Sequence, residues 1–462
     1  MEKYKDFIEQ TYGLLNEEFT VKNDELSLYD VPLMQLIEKY GTPLKLSYLP
    51  SIPQKINYAK QIFNDAMQKY NYQGEYIYCY CTKSSHFEFV LDEILKQNVH
   101  IETSSAFDIA LLRKLYQKNK ITKDTIIIAN GFKRDLYKQY LSELINDGFH
   151  NCIPVLDNLD EINEYDKQIK NTCKIGIRIA TEEEPLFNFY TSRLGVRYDD
   201  VMNLYTQKIA PNPKFELKLL HFFVNQGISD RAYYWNELSR FIHKYCELKA
   251  ICPSLDSIDI GGGFPIKKTL DDKYDYKHIA EVIIEIIVRI CEQNNTPTPN
   301  ILTEFGTFTV GESGAVIYKI LNNKLQNDKE EWYMIDGSFI TNLPDTWAMN
   351  QKYILLAINN WDKPYTNANL GGLTCDSMDY YNFDRHQAQI YLPKIREEKP
   401  LYVGFFHTGA YQEAIGGFGG IQHCLIPSPK HIVINKDENG KLTDYLFSPE
   451  QDEKDVLDIL GY

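Results

Sequence analysis

The segment YCYCTKSSHF starts at Tyr78 and sets one lysine, Lys83, at the exit of an apolar run. A lysine there can condense with an aldehyde, provided other side chains hold the partner molecule. Further apolar or β-branched runs follow along the chain, and their ends supply Glu102, Asn130, Asp157, Arg178, His221, the triplet Gly261, Gly262 and Gly263, and Glu304. Taken singly, each has a plain structural role: a loop lysine, a glycine turn, half of an ion pair, a satisfied core histidine. Taken together they could serve one ligand. Glycines let backbone N–H groups approach phosphate oxygens. A carboxylate such as Glu304 can hold a pyridine nitrogen protonated and make its ring an electron sink. With an aldehyde on the lysine, these are the parts of a site for pyridoxal 5'-phosphate.

Cys79 and Cys81 flank Tyr80 and would share one strand face. A zinc site needs about four ligands, usually from two such clusters. The nine cysteines contain no CxxC pair and no second cluster. We read both cysteines as strand residues packed into one layer, and expect no metal site.

The elements that must position these groups are eight strand-like runs, at 76–81, 99–104, 125–130, 152–157, 174–180, 217–224, 257–263 and 300–305. Most gaps hold an amphipathic stretch of helical period, such as HFEFVLDEILKQN, AFDIALLRKLYQKN and AYYWNELSRFIHKYCELK, the last with Asp230 as its N-cap. The alternation predicts an α/β chain with a (β/α)8 TIM barrel over residues 46–311. Chemistry in that fold collects at the C-terminal strand ends. The stretch EEEPLFNFYTSRLGV reads as a long loop. Beyond residue 312 the runs EWYMIDGSFI, YILLAI, PLYVGFF and HIVINKD look like strands with no helices between them. They predict a β-sandwich or β-barrel domain built from residues 1–45 and 312–462, which the strand TPLKLSYL (42–49) could join.

At 462 residues the chain is long enough for two domains. A net charge of −15 argues against a nucleic-acid partner, which needs clustered Lys and Arg, and is compatible with a cationic substrate. No run reaches the ~18 apolar residues of a membrane span. The opening MEKYKDFIEQ has no apolar signal core, so a cytoplasmic protein with mostly free thiols is expected.

The motifs YCYCTKSSHF, VHIETSSAFD, IRIATEEE, DIGGGFP, TEFGTF, LTCDSMD and GAYQE occur in this order between residues 42 and 425. Together they resemble the alanine-racemase-fold (fold type III) decarboxylases of basic amino acids, which are pyridoxal-phosphate-dependent carboxy-lyases. The resemblance implies a (β/α)8 barrel plus a β-sandwich. It implies that Lys83 carries the cofactor, Glu304 pairs with the pyridine nitrogen, and Gly261, Gly262 and Gly263 cradle the phosphate. Tyr411 would hydrogen-bond that phosphate, and Arg178, with Glu102 and Asp108, would form a charged network behind the cofactor. It further implies a homodimer with shared active sites, or a higher oligomer, in which Cys375 and Asp376 reach across the interface. The cysteine would assist protonation of the product, and the aspartate would meet the distal cation of the substrate.

The chain departs from the family pattern at several positions. Phe223 stands where a histidine usually stacks on the cofactor, with His221 two residues earlier on the same strand face. Asn225 and Gln226 replace a glycine and a serine, and Thr307 replaces an arginine, which leaves the phosphate site less cationic. The segments LPDTWAMNQ, LTCDSMD and GFFHTGAYQE resemble biosynthetic arginine decarboxylases, and imply conversion of L-arginine to agmatine and CO2, an early step toward polyamines. A guanidinium prefers a bidentate carboxylate. Asp376 is the first candidate, with Asp345 or Asp379 assisting; Asp345 could equally be a turn residue after Pro344. Trp347 could face a cation or belong to the core. The alternatives are a decarboxylase of ornithine, lysine, diaminopimelate or carboxynorspermidine, a racemase, and a non-catalytic regulatory relative. The CDSMD element argues against a racemase, and the presence of both Lys83 and Cys375 argues against a dead relative.

Overall fold

The structure, a computed structural model, describes residues 1–12, 18–181, 192–224, 227–229, 231–381, 390–395 and 399–462. Asn225, Gln226, Asp230 and most of the EEEPLFNFYTSRLGV stretch lie outside them. Eight parallel strands close into a barrel: β1 (Tyr76–Cys81), β2 (His100–Thr103), β3 (Ile127–Ala129), β4 (Cys152–Leu156), β5 (Cys173–Arg178), β6 (Phe215–His221), β7 (Ser257–Asp259) and β8 (Asn300–Phe305). Each falls within or overlaps one of the eight runs read from the sequence. Each strand pairs with its neighbours in chain order, and β8 closes onto β1 in register from Ile301 opposite Tyr76 to Phe305 opposite Tyr80.

Helices between the strands form where apolar side chains recur at helical spacing. Tyr276–Gln293 buries Ile279, Ile283, Ile287 and Ile290, and Asp275 caps it by accepting from the His278 N–H. Ala106–Gln117 is capped in the same way by Ser105. After the segment read as a loop, the structure has a short helix, Tyr198–Leu204, that buries Tyr198, Val201 and Leu204. Seven residues with two aspartates at the start give too little periodicity to stand out from a loop.

The chain divides into two compact units. The barrel unit is Ile52–Pro265 with Tyr274–Thr309; the other comprises Met1–Ser51, Ile266–Lys273 and Val310–Tyr462. A cut at residue 46 would split the strand Leu44–Tyr48, which pairs antiparallel with Gly314–Gln326 on one edge and parallel with Lys430–Lys436 on the other. That strand therefore stays with the sheet. Gly314–Gln326 also pairs with Tyr402–Phe406 along its first half and, past an irregularity at Ile320/Asn322, with Glu330–Ile335. The result is a nine-stranded sheet over a core that includes Tyr318, Tyr333, Trp361 and Phe405. The strand series is not free of helices, as the sequence had suggested. Phe339–Asn342, Pro344–Ala348 and Gln412–Gly416 interrupt it, each too short for a helical period to register. Among the described residues, no helix is long and apolar enough to cross a membrane.

Cys79, Ile128, Ile153, Val155, Leu219 and Leu302 pack together and fill the barrel interior. Leu302→Ala leaves a cavity among them and should cost about 2–5 kcal/mol. Urea unfolding should show a lowered midpoint with an unchanged slope. An unmoved midpoint would mean the interior refills freely, against the packing described.

Candidate active site

Side chains two residues apart on a strand point the same way. Two positions beyond the interior residues Cys79, Ile128, Leu219 and Leu302 stand Cys81, Asn130, His221 and Glu304. The layer above the apolar plug is therefore polar, and it lies at the C-terminal ends of the strands.

Glu102, fully buried on β2, connects this layer. Its Oε2 accepts from Lys83 Nζ at 3.0 Å and from Cys81 Sγ at 2.7 Å, and its Oε1 accepts from Asn130 Nδ2 at 3.2 Å. The same Asn130 amide donates to Glu304 Oε1 at 2.5 Å. Cys81 is thus more than a packing residue, although burial pushes its thiol well up. His221 Nε2 lies 3.5 Å from Glu304 Oε2, and the strand register sets His221 between Arg178 on β5 and Asp259 on β7. His221 is therefore the neighbour of an anion rather than a core histidine with satisfied ring nitrogens. Burial works against a charge on Glu304, yet His221, Asp259 and the charge of Lys83 hold its carboxyl down to about 2. Asp259 goes the other way, pushed well above the carboxylate range by burial and by Glu304. One of this pair keeps the proton and the other keeps the charge. His221, Asp259 and Glu304 each place one ligand atom within 4.8 Å of the others, a spacing that a cation would also accept.

Lys83 rides on the turn Thr82–Ser84. Its side chain is 43% exposed whereas that of Glu102 is 0%, so the ammonium spans from a sealed anion to the open mouth. Asp108 braces the turn from below. It accepts from Thr82 Oγ1 at 3.1 Å, Ser104 N at 3.0 Å and Ser105 Oγ at 3.0 Å, and His86 Nε2 lies 3.0 Å away. Arg178 stands elsewhere along the barrel rim. It ends β5, three strands from β2, with its guanidinium 6.0 Å from the centre of the Phe223 ring.

The glycines face a close approach of chain segments. Gly261 and Gly263 have φ of +67° and +99°. A Cβ at Gly262 would sit 2.6 Å from the Glu304 carbonyl oxygen, and one at Gly263 would sit 2.6 Å from Gly227 Cα. Gly227, at φ +56°, is a fourth member of this cradle that sequence reasoning missed. Asp259 was missed as well. Its signal was an acid two residues ahead of the glycine triplet, and its Oδ1 accepts the Gly261 N–H at 2.8 Å.

The remaining candidates lie on the sheet unit. Tyr411 has φ +68° and opens the helix Gln412–Gly416. Its two followers are anchored: Gln412 Nε2 donates to Asp345 Oδ2 at 2.7 Å, and Glu413 pairs with Lys45 at 3.2 Å. Asp345 is thereby placed as a buried brace for the Tyr411 turn. Asp379 is a second correction. Its Oδ1 accepts from Phe339 N at 2.8 Å and Ile340 N at 3.3 Å, and its Oδ2 from Thr374 N at 3.1 Å and Thr374 Oγ1 at 2.8 Å. Buried and filled by four donors, it holds the loop that carries Cys375 and Asp376 rather than offering a free carboxylate. Asp376 is partly exposed, as is its neighbour His423, and Cys375 is exposed. Trp347, at 55% exposure, is not a core residue.

A half-exposed lysine on a sealed carboxylate, a buried anion kept charged, and a cradle closed to any Cβ fit an aldehyde, a pyridine nitrogen and a phosphate. These are the features of a pyridoxal-phosphate enzyme built on a (β/α)8 barrel. Residues 55–311, more than half of the chain, match the family model described as pyridoxal-dependent decarboxylase, pyridoxal binding domain, and the chain belongs to that family. Among curated relatives, the biosynthetic arginine decarboxylase of Prochlorococcus marinus strain AS9601 is 22% identical, over 96% of this chain and 87% of that protein. That of Shewanella woodyi is 21% identical, over 93% and 86%. Among solved structures, the biosynthetic arginine decarboxylase from Campylobacter jejuni superposes with a TM-score of 0.83 at 20% identity, over 100% of this chain and 91% of that one. A diaminopimelate decarboxylase from M. jannaschii gives 0.78 at 16% identity, over 96% and 97%.

Two outcomes follow. Glu304 has a folded-state pKa of about 2, below its ordinary 4.5, so its ionised form contributes stability above pH 4.5 that is lost as the pH falls toward 2. Urea midpoints should fall across that window in the wild type and fall less in Glu304→Gln; equal slopes would contradict the assignment. Gly262→Ala should weaken pyridoxal-phosphate binding by at least about tenfold, read by absorbance titration, because the backbone must move to admit the methyl group. Undiminished affinity would place the phosphate elsewhere.

Proposed function

We propose that this pyridoxal-dependent decarboxylase converts L-arginine to agmatine and CO2 in polyamine biosynthesis. The observation that carries the substrate is the similarity to biosynthetic arginine decarboxylases along 96% of the chain, through both units. When bound, the cofactor supplies an aldehyde to take up an amine and a pyridinium ring to accept the electrons of the breaking bond. Lys83 Nζ, steadied by Glu102, holds the aldehyde end. Glu304 keeps a proton at the pyridine nitrogen, with His221 and Asp259 fixing which acid is charged. We assign this trio to the ring nitrogen rather than to a metal ion. Gly261, Gly262 and Gly263 would cradle the phosphate, and the family resemblance assigns the Tyr411 hydroxyl as a donor to it. Phe223, with the Arg178 guanidinium 6.0 Å from its ring centre, would offer an aromatic face to the cofactor ring.

The barrel domain thus holds the cofactor, and the sheet domain carries the groups that choose and finish the substrate. Asp376 receives the guanidinium, and the Cys375 thiol delivers a proton to the α-carbon of the product. Both act in the partner's site of a homodimer. The free state of all nine cysteines supports a reducing, cytoplasmic location.

Offered arginine, ornithine, lysine, diaminopimelate and carboxynorspermidine together, the enzyme should release agmatine first; preference for another substrate sinks the assignment. Borohydride should fix a pyridoxyl label on Lys83. Asp376→Asn should lower kcat/KM for arginine by at least ~10-fold, a factor worth ~1.4 kcal/mol, with cofactor binding unchanged. Mixed Lys83→Ala and Cys375→Ala protomers should regain part of the activity. No recovery after demonstrated subunit exchange would count against a shared site.

A further inference from the structure

Seven of the nine cysteines are buried, and the two exposed ones, Cys375 and Cys424, meet. Their Sγ atoms lie 3.4 Å apart although 49 positions separate them in the chain. Cys375 stands in the loop between the strands Asn369–Gly371 and Tyr380–Tyr381, and Cys424 in the turn His423–Leu425. The residue after Cys375 and the residue before Cys424 repeat the contact, for His423 Nε2 is 3.7 Å from Asp376 Oδ2. The Cys375 loop is pinned by Asp379, which takes both the N–H and the hydroxyl of Thr374. On the other side, Cys424 adopts φ +56°, a left-handed backbone that side chains rarely occupy. A disulfide needs about 2.05 Å between sulfurs, so the pair has roughly 1.3 Å to close.

We propose that Cys375 and Cys424 are a reversible redox pair whose closure to an intrachain disulfide switches the enzyme off. The pairing rests on this geometry; its effect on turnover rests on the reading of Cys375 as proton donor. The oxidant is a peroxide. One thiolate attacks a peroxide oxygen, the O–O bond breaks, and a sulfenic acid forms with loss of one water from hydrogen peroxide. The second thiol attacks that sulfur, the S–O bond breaks, and a second water leaves. Two thiols give up two protons and two electrons, and the peroxide takes both. Closure removes the Cys375 proton, and a dithiol reductant restores it.

The test treats holoenzyme with hydrogen peroxide, blocks the remaining thiols by alkylation, and maps the peptides by mass spectrometry. A cross-link between the peptides of Cys375 and Cys424 is expected, with the buried cysteines still reduced. Agmatine formation should fall by about 100-fold, the low end of what a general acid contributes, and return with dithiothreitol. Cys424→Ser should start at wild-type turnover and give no cross-link. Its Cys375, without a resolving thiol, should pass to the sulfinic acid, so dithiothreitol no longer rescues it. Absence of the wild-type cross-link overturns the pair. A mapped cross-link with undiminished turnover overturns the switch, and with it the role of Cys375 as proton donor.

Discussion

Three buried carboxyl groups, Glu102, Asp259 and Glu304, share one end of one barrel, and like charges so placed cannot all persist without compensation. The structure divides the load. Asp259 keeps a proton, Glu304 is held ionised beside His221, and Glu102 is met by the Lys83 ammonium. The Asn130 amide ties Glu102 to Glu304. Every other feature of the mouth follows from this arrangement. The Lys83 turn needs the Asp108 brace to keep its cation over Glu102, and the glycines let the chain pass close enough for Asp259 to take the Gly261 N–H. A pyridine nitrogen set against Glu304 would meet a proton acceptor whose charge is already secured.

The sheet unit meets a different demand, the holding of irregular loops. Asp345 and Asp379 illustrate how it does so. Both are carboxylates near residues assigned to substrate or phosphate, and both bind local chain: Asp345 accepts from Gln412 through Oδ2 alone, its buried Oδ1 taking no hydrogen bond among the described residues, whereas Asp379 spends both oxygens on three backbone N–H groups and a hydroxyl. In the Asp379 loop, saturating one buried anion fixes the chain where packing alone would not.

The barrel strands were legible because β-branched and aromatic runs alternate with amphipathic stretches, and the fold then dictates that strand ends carry chemistry. Lys83, Glu102, Asn130 and Glu304 could be named on that ground alone, and their meeting in one layer follows from the two-residue period. The helix Tyr198–Leu204 was not legible, being too short to show a period. Nor were the tasks of Asp345 and Asp379, because a carboxylate's donors come from loops whose path the sequence does not spell out. The approach of Cys424 to Cys375 had no local sign: each is a lone cysteine, and only the sheet's folding spans the 49 residues between them. Gly227 was hidden for the same reason, since its crowding comes from Gly263.

The strand Leu44–Tyr48 is made before the barrel strands, yet its two partners are Gly314–Gln326 and Lys430–Lys436, which come after them. On the ribosome it must wait through the whole barrel, whose last strand ends at Phe305, before its first edge is covered. The second edge stays open until Lys430–Lys436 has been made as well. Pairings of such sequence separation are slow to form, and a waiting hydrophobic edge is a template for wrong partners. The barrel, whose strands follow one another along the chain, can finish folding before the sheet assembles. A nascent chain stopped before residue 430 would carry complete barrel strands and a central sheet strand bare along one side.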